Sequence, residues 1–367
     1  MIHLDGSQQS GSGTIVRYAV ALAALLGREL RLTNARAKRR PPGLRPQHLR
    51  TVEAVAKVAV GRLDGASVGG TDFAFFPSGC LRGGRYLWDI GTAGSTTMLA
   101  LTMLPLAAFA DQPSRFEIHG GLFQDFAPSA FQLQYVLIPL LARMGLRAEL
   151  RILRPGFVPR GGGVIELTVQ PASGTLRPLV LLDQGRVQRV RGTALSSHLR
   201  RQRVSDRMAE RCRERLIAGG MDAQIEIDAR YDDTAPQPGA ALAVCAECDT
   251  DCIMGADRAG APGRPSEAIA EKVAHMLLAD LGSGATVDRH LADQLVLFAA
   301  LADGTSEYII PGVTAHVQAN CWLVAEVLGA AVEFSDHHLR IRGVGYRRPG
   351  EITSGRHPCL DEAPTLP

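Results

Sequence analysis

Lysine is scarce in this sequence of 367 residues, and this scarcity excludes one way of binding phosphate. The chain has three lysines, Lys38, Lys57 and Lys272, and none of them follows a glycine-rich turn. The pattern G-x-x-x-x-G-K-[ST] does not occur anywhere in the sequence. A P-loop mechanism is therefore excluded.

Two further absences limit the class of protein. Seven cysteines, an odd number without regular spacing, do not make a disulfide scaffold. The first residues lack a charged segment followed by an apolar one, and the apolar stretches end well short of the ~18 residues needed to span a bilayer. We therefore expect a cytoplasmic protein with no membrane partner.

The composition is that of a globular protein. Hydrophobic residues make up 46% of the chain and charged residues 21%, near the averages of about 45–50% and about 25%. At about 150 residues per domain, the length predicts two or three structural units. The net charge of +3 by itself argues neither for nor against a polyanionic partner.

A weak internal repeat is visible in the apolar pattern, with a period of roughly 85 residues. The first copy begins with a strand at 2–5, a Gly/Ser-rich turn at 6–13 and a helix over 15–26. The second copy repeats this order with a strand over 87–90 and a glycine turn at 91–95. The other elements predicted for these copies are helices over 47–60, 97–108 and 130–144, and strands over 29–33, up to 76, 115–118, 148–153 and 163–169.

A third, shorter copy is predicted over 291–343. Its pattern gives helices over 292–302 and 314–328, with a strand over 307–310 and two more strands ending near 341. About a hundred residues with an Arg-rich helix and strands of their own separate it from the second copy. Repeated two-helix units backed by sheets imply an α/β fold.

The glycine turns at 6–13 and 91–95 are candidate anion sites. Each turn ends a strand and opens a helix, where free backbone N–H groups and the helix dipole favour negative charge. A tight connection that needs positive φ explains either turn taken alone. Their recurrence favours phosphate binding.

Positive charge is concentrated between residues 28 and 50. This segment has eight Arg or Lys residues and one acid, Glu29, for a net charge of +7, so that the rest of the chain sums to −4. Pro41, Pro42 and Pro46 stiffen it, and guanidinium groups suit a phosphodiester backbone. A solvated charged loop is the alternative. The cations that project from the loop are Arg36, Lys38, Arg39, Arg40 and Arg45.

Two other clusters have a structural interpretation that competes with a functional one. Arginines recur every fourth residue over 203–215, but acids three residues after them predict ion pairs within the helix rather than contact with nucleic acid. Cys245, Cys248 and Cys252 have a spacing that suggests a metal, yet they lie in an apolar strand-like run without an obvious fourth ligand. Ordinary core thiols are favoured.

His316 is a candidate nucleophile. It lies two residues after Thr314, a plausible N-cap, and thus in the first turn of a helix. A lone histidine is usually structural. A neutral imidazole at a positive helix end, with an ordinary pKa of about 6.5, can however attack a phosphorus atom that the same dipole holds.

Six segments that occur in order from residue 4 to about residue 342 belong together. They are Leu4-Asp5-Gly6 with its glycine turn and Arg17, the stretch 36–49 ending in Gln47-His48-Leu49, Gly91-Thr92-Ala93-Gly94-Ser95, Gly156-Phe157-Val158-Pro159-Arg160-Gly161-Gly162-Gly163, Leu291-Ala292-Asp293-Gln294-Leu295, and Thr314-x-His316. The set resembles the RNA 3′-terminal phosphate cyclase family. The resemblance implies an α/β fold of three repeated two-helix, four-stranded-sheet units with a small inserted α/β domain. It further implies a cyclase core over 1–184 and 285–345, the insertion over 185–284 and a C-terminal tail over 346–367.

The same resemblance implies a reaction and its residues. The family uses ATP and a divalent cation, Mg or Mn, to convert an RNA 3′-phosphate end to a 2′,3′-cyclic phosphate through a histidine-AMP intermediate, and the histidine matches His316. Pro128 and His290 match residues that flank the adenine, although the family often has tyrosine at the latter position. The nucleotide-binding positions are Arg17, Gly94, Ser95, Pro128, His290, Asp293 and Gln294, and the RNA or phosphate-binding positions are Arg36, Arg39, Gln47 and His48.

Several departures from the family pattern bear on activity. Ser10 stands where a glutamate usually helps to hold the metal, and Thr14 stands where glutamine is usual. Leu122-Phe123 replaces a common Thr-Asp pair, and Phe131 replaces an aspartate. Hard cations prefer carboxylate oxygen, so the metal ligands are not defined by the sequence. His316 favours an active cyclase, whereas these departures favour a non-catalytic, cyclase-like RNA-binding or assembly factor.

Overall fold

Four sheets of four strands each make up the β-structure of residues 1–348, which are the residues that the computed structural model describes. In each of these sheets, one parallel pair of strands is joined by a crossover and two antiparallel pairings complete the sheet, and three of the sheets share one strand order. The first sheet has the spatial order β1-β2-β4-β3. Its elements are β1 (Ile2–Asp5), α1 (Gly13–Leu26), β2 (Leu30–Thr33), α2 (Pro46–Val58), β3 (Arg62–Asp64) and β4 (Phe73–Phe76).

The second sheet has the same topology, in the order β5-β6-β8-β7. The segment predicted as a helix over 130–144 is helical from 130 to 143, but it widens to a π-helical turn before Pro139. Proline has no N–H to donate to the preceding turn, which disrupts the α-helical ladder there. The elements are β5 (Gly84–Asp89), α3 (Thr96–Ala108), β6 (Ser114–Gly120), α4 (Ala130–Gln132), the π-turn (Leu133–Leu137), α5 (Ile138–Arg143), β7 (Arg147–Arg154) and β8 (Gly163–Gln170).

After the short strand β9 (Val180–Leu181), the chain forms a sheet of different topology, in the order β11-β10-β12-β13. Two helices pack on it around a hydrophobic core separate from the main one. The segment therefore has its own sheet and core, while the limits 185–284 for the inserted domain stay a prediction. Its elements are β10 (Val187–Ser197), α6 (Val204–Ala218), β11 (Gln224–Tyr231), β12 (Gly239–Cys248), β13 (Ile253–Ala259) and α7 (Ser266–Gly282).

The third sheet of the common topology begins earlier than the sequence indicated. Its first strand is β9, which pairs in parallel with β14, so that this copy starts near residue 180 and is interrupted by the segment just described. A two-residue strand is too short to give a periodic signal. The helix predicted over 292–302 is two short helices. The remaining elements are α8 (Leu291–Gln294), α9 (Val296–Leu301), β14 (Thr305–Ile309), α10 (Ala315–Leu328), β15 (Ala331–Ser335) and β16 (His338–Arg342).

The arginine stripe of α6 is neutralised by acidic side chains. Arg207 Nε lies 2.8 Å from Glu267 Oε1, and Arg211 Nε lies 3.0 Å from Glu271 Oε1, which joins α6 to α7. Arg211 also pairs with Glu214, three residues further on, at 3.2 Å. The contacts therefore favour the structural interpretation of the stripe, in which ion pairs hold the arginines. Some of these pairs lie within α6, and others join α6 to α7.

Helix α1 is central to the main core. All of its residues from 13 to 25 are buried, and it contacts α2, α3 and α10. A helix that is apolar around its whole circumference is usually enclosed in this way. Its first turn consequently lies close to the first turns of its neighbours.

Two predictions concern membrane-spanning helices and the C-terminal tail. No helix within residues 1–348 is long and apolar enough to cross a membrane. The tail predicted over 346–367 falls outside the described residues from residue 349 onward.

Candidate active site

A cavity of about 800 Å³ lies where the N-terminal turns of α1, α2, α3 and α10 meet. Thr14, Gln47, Ser95 and His316 line it, one from each of these helix starts or its cap. Helix N-termini carry free N–H groups and partial positive charge. The cavity is therefore suited to an anionic ligand before any charged side chain is considered.

The first turn of α1 approaches the start of α2 very closely. Ser12 caps α1 and accepts a hydrogen bond from the N–H of Thr14 at 3.4 Å. A Cβ atom at Gly13 would lie 2.1 Å from His48 Nε2, so only glycine fits there. The glycine turn thus allows His48 to reach the cavity wall. Ser10 contributes only a hydroxyl, 2.9 Å from that of Ser12.

His316 lies in the first turn of α10 and is half-buried. Thr314 caps this helix and accepts a hydrogen bond from the N–H of Val317 at 3.2 Å. His316 Nδ1 is 3.3 Å from the hydroxyl oxygen of Thr14, and Arg17 donates to the same oxygen at 3.1 Å. Burial lowers the pKa of His316, and the positive charges of Arg39 and Arg17 lower it further. The imidazole is thus held in its neutral, nucleophilic form.

Cationic side chains line the same part of the cavity. Arg17 is buried, and desolvation lowers its pKa. Arg36 donates to the carbonyl oxygens of Pro41 and Gly43 at 3.0 and 2.6 Å, which fixes the basic loop beside the cavity. Burial and the neighbouring arginines lower the pKa of His48 to about 3, so it is neutral. Its Nδ1 accepts the backbone N–H of residue 45 at 3.3 Å.

A chain of hydrogen bonds connects the start of α3 with the opposite wall. Gln47 Oε1 accepts the N–H of Ser95 at 3.0 Å, and the Ser95 hydroxyl lies 2.6 Å from that of Thr97. Thr97 donates to the carbonyl oxygen of Pro128 at 2.7 Å. Gly94 lies behind this wall, where a Cβ would come within 3.0 Å of Gln47. The second glycine turn therefore sets the position of Gln47 and Pro128.

Acidic side chains hold the segment that carries His290. Asp288 Oδ1 accepts the N–H groups of His290 and Leu291 at 2.8 and 2.9 Å. Desolvation raises the pKa of Asp293 to about 7, against the opposing effects of His290 and Arg17. Its Oδ2 accepts a hydrogen bond from Asn320 at 3.3 Å. Asp293 is therefore a carboxyl group at the cavity wall whose pKa lies near neutral pH.

The sequence of this chain is also clearly related to those of known proteins. A family model described as RNA 3′-terminal phosphate cyclase matches residues 8–334. The chain belongs to the RNA 3′-terminal phosphate cyclase family. An RNA 3′-terminal phosphate cyclase from Hyperthermus butylicus is 38% identical in an alignment 359 residues long, which covers 95% of this chain and 99% of the relative. The cyclase from Methanopyrus kandleri is 37% identical over 91% of this chain and 95% of its own length. That from Methylococcus capsulatus is 38% identical over 88% and 90%.

The cavity brings together nearly all of the residues predicted from the cyclase resemblance. Those that line it are Arg17, Arg36, Arg39, Gln47, His48, Ser95, Pro128, His290, Asp293, Gln294 and His316. Gly94 does not line it but packs against Gln47. Their individual roles toward ATP and RNA stay predictions.

Sequence reasoning missed the contribution of the inserted segment. Asp257 and Arg258 of β13 line the cavity, together with Met276 of α7. Asp257 Oδ2 accepts the N–H of Ser129 at 2.7 Å, directly after Pro128. Asp257 and Arg258 lie in an otherwise unremarkable strand, and Asp257 is 128 residues beyond Ser129, so no local signal identifies them.

The described residues, 1–348, offer no ready-made site for a protein-held metal. Among residues 1–348, no group of three or more His, Cys, Asp or Glu residues is arranged to hold a metal. Asp5, the carboxylate nearest to the first turn in sequence, accepts the N–H of Ser7 at 2.9 Å and the amide of Asn34 at 3.1 Å. A divalent cation prefers carboxylate ligands, and Ser10 supplies none.

The cysteine cluster lies away from this cavity. Cys245, Cys248 and Cys252 are buried free thiols, and burial raises the pKa of the first two to about 11. Cys252 Sγ donates to the carbonyl oxygen of Asp183 at 3.2 Å. Metal ligation requires the thiolate, so these environments disfavour a metal site. That the protein as purified holds no zinc or iron stays a prediction for elemental analysis.

Proposed function

We propose that this chain converts an RNA 3′-phosphate end to a 2′,3′-cyclic phosphate, with ATP cleaved to AMP and pyrophosphate. The observation that carries the proposal is the position of His316, which lies at a helix N-terminus and faces a cavity lined by Arg17, Arg36 and Arg39. The relatives are named RNA 3′-terminal phosphate cyclases, which supports the cyclisation.

The proposed reaction has three steps. A ring nitrogen of His316 attacks the α-phosphorus of ATP, the bond to the β-phosphate oxygen breaks, and pyrophosphate leaves. An oxygen of the RNA 3′-phosphate then attacks the same phosphorus, which releases the imidazole and leaves AMP on the RNA. Finally the neighbouring 2′-hydroxyl attacks the RNA phosphorus, loses its proton and expels AMP. Because this step needs a 2′-hydroxyl, the substrate is RNA.

The side chains supply what each step requires. A neutral imidazole is a nucleophile, and a protonated one is a good leaving group, so His316 can accept and then surrender the adenylyl group. The guanidinium groups of Arg17 and Arg39 stabilise the charge that develops on the phosphates. Pro128 and His290 offer two walls for the adenine. Since no carboxylate stands at Ser10, a divalent cation would be held mainly by the phosphates of ATP, where it would neutralise part of their charge.

Labelling with ATP carrying ³²P at its α-phosphate tests the proposal. The parent chain should retain the label through a denaturing gel, and the adduct should be labile to acid and stable to base, as a phosphoramidate is. His316→Ala should lose the label. His275→Ala is the matched control, because His275 is exposed on α7 and does not line the cavity.

Two outcomes would contradict the proposal in different ways. Label retained undiminished by His316→Ala would show that another residue is the nucleophile. If the parent forms no adduct at any metal concentration, yet binds RNA with an affinity that falls steeply with salt, the chain is the non-catalytic RNA-binding factor.

A matched DNA 3′-phosphate should be adenylylated without being cyclised.

A further inference from the structure

We propose that Thr14 is a positioning residue for His316, and that its hydroxyl engages Nδ1 and so leaves Nε2 as the ring nitrogen that attacks. This inference rests on the proposed function, in which His316 accepts the adenylyl group. The observation behind it is the contact of 3.3 Å between the Thr14 hydroxyl and His316 Nδ1. These two residues are 302 positions apart in the sequence and are brought together by the packing of α1 against α10.

The Thr14 hydroxyl is itself fixed by its surroundings. The side chain is 5% exposed, and Arg17 donates to its oxygen at 3.1 Å from one turn further along α1. The backbone N–H of Thr14 is bound to the Ser12 hydroxyl at the cap of the helix. Threonine also has few rotamers, because its Cβ is branched. The oxygen therefore has little freedom to move away from the ring.

This arrangement leaves one lone pair of the Thr14 oxygen for the histidine. A hydroxyl oxygen has two acceptor positions, and Arg17 occupies one of them. When Nδ1–H donates to the other, the second ring nitrogen, Nε2, carries the free lone pair. Partners of one ring nitrogen set the state of the other in this way. Nε2 is then the atom that attacks the α-phosphorus.

The same hydroxyl serves the adduct. After Nε2 has formed its bond to phosphorus, the ring carries a positive charge, and Nδ1–H continues to donate to Thr14. If Nδ1 loses its proton, the hydroxyl rotates and donates to Nδ1 instead. A hydroxyl can act in both directions, whereas a methyl group can act in neither. Thr14 thus keeps the ring orientation constant while its proton count changes.

Replacement by residues of similar shape tests this role. Thr14→Val keeps the branched shape and removes the hydroxyl, and it should lower the maximal rate of adenylylation by roughly 10- to 100-fold, the size of effect seen when the hydrogen-bond partner of a functional histidine is removed. The ATP concentration at half-saturation should stay within about threefold of the parent. Thr14→Ser restores the hydroxyl and should recover most of the rate. Thr102→Val is the matched control, a buried helical threonine outside the cavity.

A spectroscopic measurement separates this proposal from the proposed function. In protein with ¹⁵N-labelled histidine and no ATP, His316 of the parent should show a protonated Nδ1 and an unprotonated Nε2. Thr14→Val should show a mixture of the two tautomers, and Thr14→Ser should resemble the parent.

The outcomes that would overturn the role of Thr14 are specific. A Thr14→Val variant with the parental rate, or a parent ring with its proton on Nε2, would do so while leaving the proposed function intact. If the parent forms no adduct, the proposed function fails, and the tautomer spectra alone still decide whether Thr14 orients His316.

Discussion

Asp288 accepts a hydrogen bond from the backbone N–H of Gly255 at 2.8 Å, and this contact ties the inserted segment to the cavity wall. The same oxygen, Oδ2, also accepts the amide of Gln132 at 2.9 Å. The other oxygen holds the start of the segment that carries His290. One buried carboxyl group therefore joins β13, the second repeated unit and the cavity.

Removal of this acceptor should destabilise the fold. Asp288→Asn places an amide group among N–H donors, and bonds to a charged group contribute roughly 1.5–3 kcal/mol each. We expect the free energy of unfolding to fall by about 3 kcal/mol, measured by urea denaturation. Asp336→Asn, on an exposed turn, is the control and should change it by less than about 0.5 kcal/mol. Equal effects of the two substitutions would mean that the junction is not important for stability.

The pH dependence of stability should reveal the carboxyl group of Asp293. Its pKa in the folded state is about 7, above the ordinary value of about 3.9. Between these values the folded state holds a proton that the unfolded state has lost, so stability falls as pH rises, by up to about 1.4 kcal/mol per pH unit. Asp293→Asn should remove this decline, as measured by unfolding at pH 4.5 to 7.5.

His48 should have the opposite effect over part of the same range. Its pKa is about 3 in the folded state and rises to the ordinary 6.5 on unfolding, so its contribution to stability increases with pH between these values. His48→Asn keeps an acceptor for the backbone N–H and should remove that increase. If Asp293→Asn and His48→Asn shift the pH curve in the same direction, the assignment of these groups is wrong.

The serine at position 10 should determine how much metal the reaction requires. With no carboxylate there, the cation must arrive on ATP, and we expect adenylylation to saturate only at high metal concentration. Ser10→Glu should lower that concentration by about tenfold or more. Gln8→Glu adds the same charge in the same turn and serves as the control. A parent chain that already saturates at micromolar metal, unchanged by Ser10→Glu, would show that another ligand holds the ion.

Arg258, which lies in the inserted segment, should contribute to the binding of a phosphate-bearing substrate. It lines the cavity, and within residues 1–348 its buried Nε has no hydrogen-bond partner. A charge-assisted bond of about 1.5–3 kcal/mol corresponds to a loss of roughly 10- to 100-fold in affinity on Arg258→Gln. Titration with ATP and with RNA 3′-phosphate shows which of them is affected. Arg215→Gln, in the same segment but outside the cavity, should bind both as the parent does.

Much of the fold follows from local pattern. The helices at 15–26 and 97–108 were predictable because they are long and apolar, and that over 314–328 because Thr314 caps it. The two-residue strand β9 was not predictable, since its pairing partner lies more than a hundred residues away. The π-helical turn before Pro139 depends on how the helix adapts to one missing N–H, which periodicity does not report.

The candidate site also has one part that could be predicted from the sequence and another that only the structure shows. The residue types and the order of the motifs were enough to match Arg17, Arg36, His48 and His316 to one family pattern. Only the tertiary structure decided that Thr14 contacts His316 and that β13 supplies Arg258. These contacts join elements hundreds of residues apart, and they exist because apolar helices pack together and bring the first turns of distant segments around one cavity.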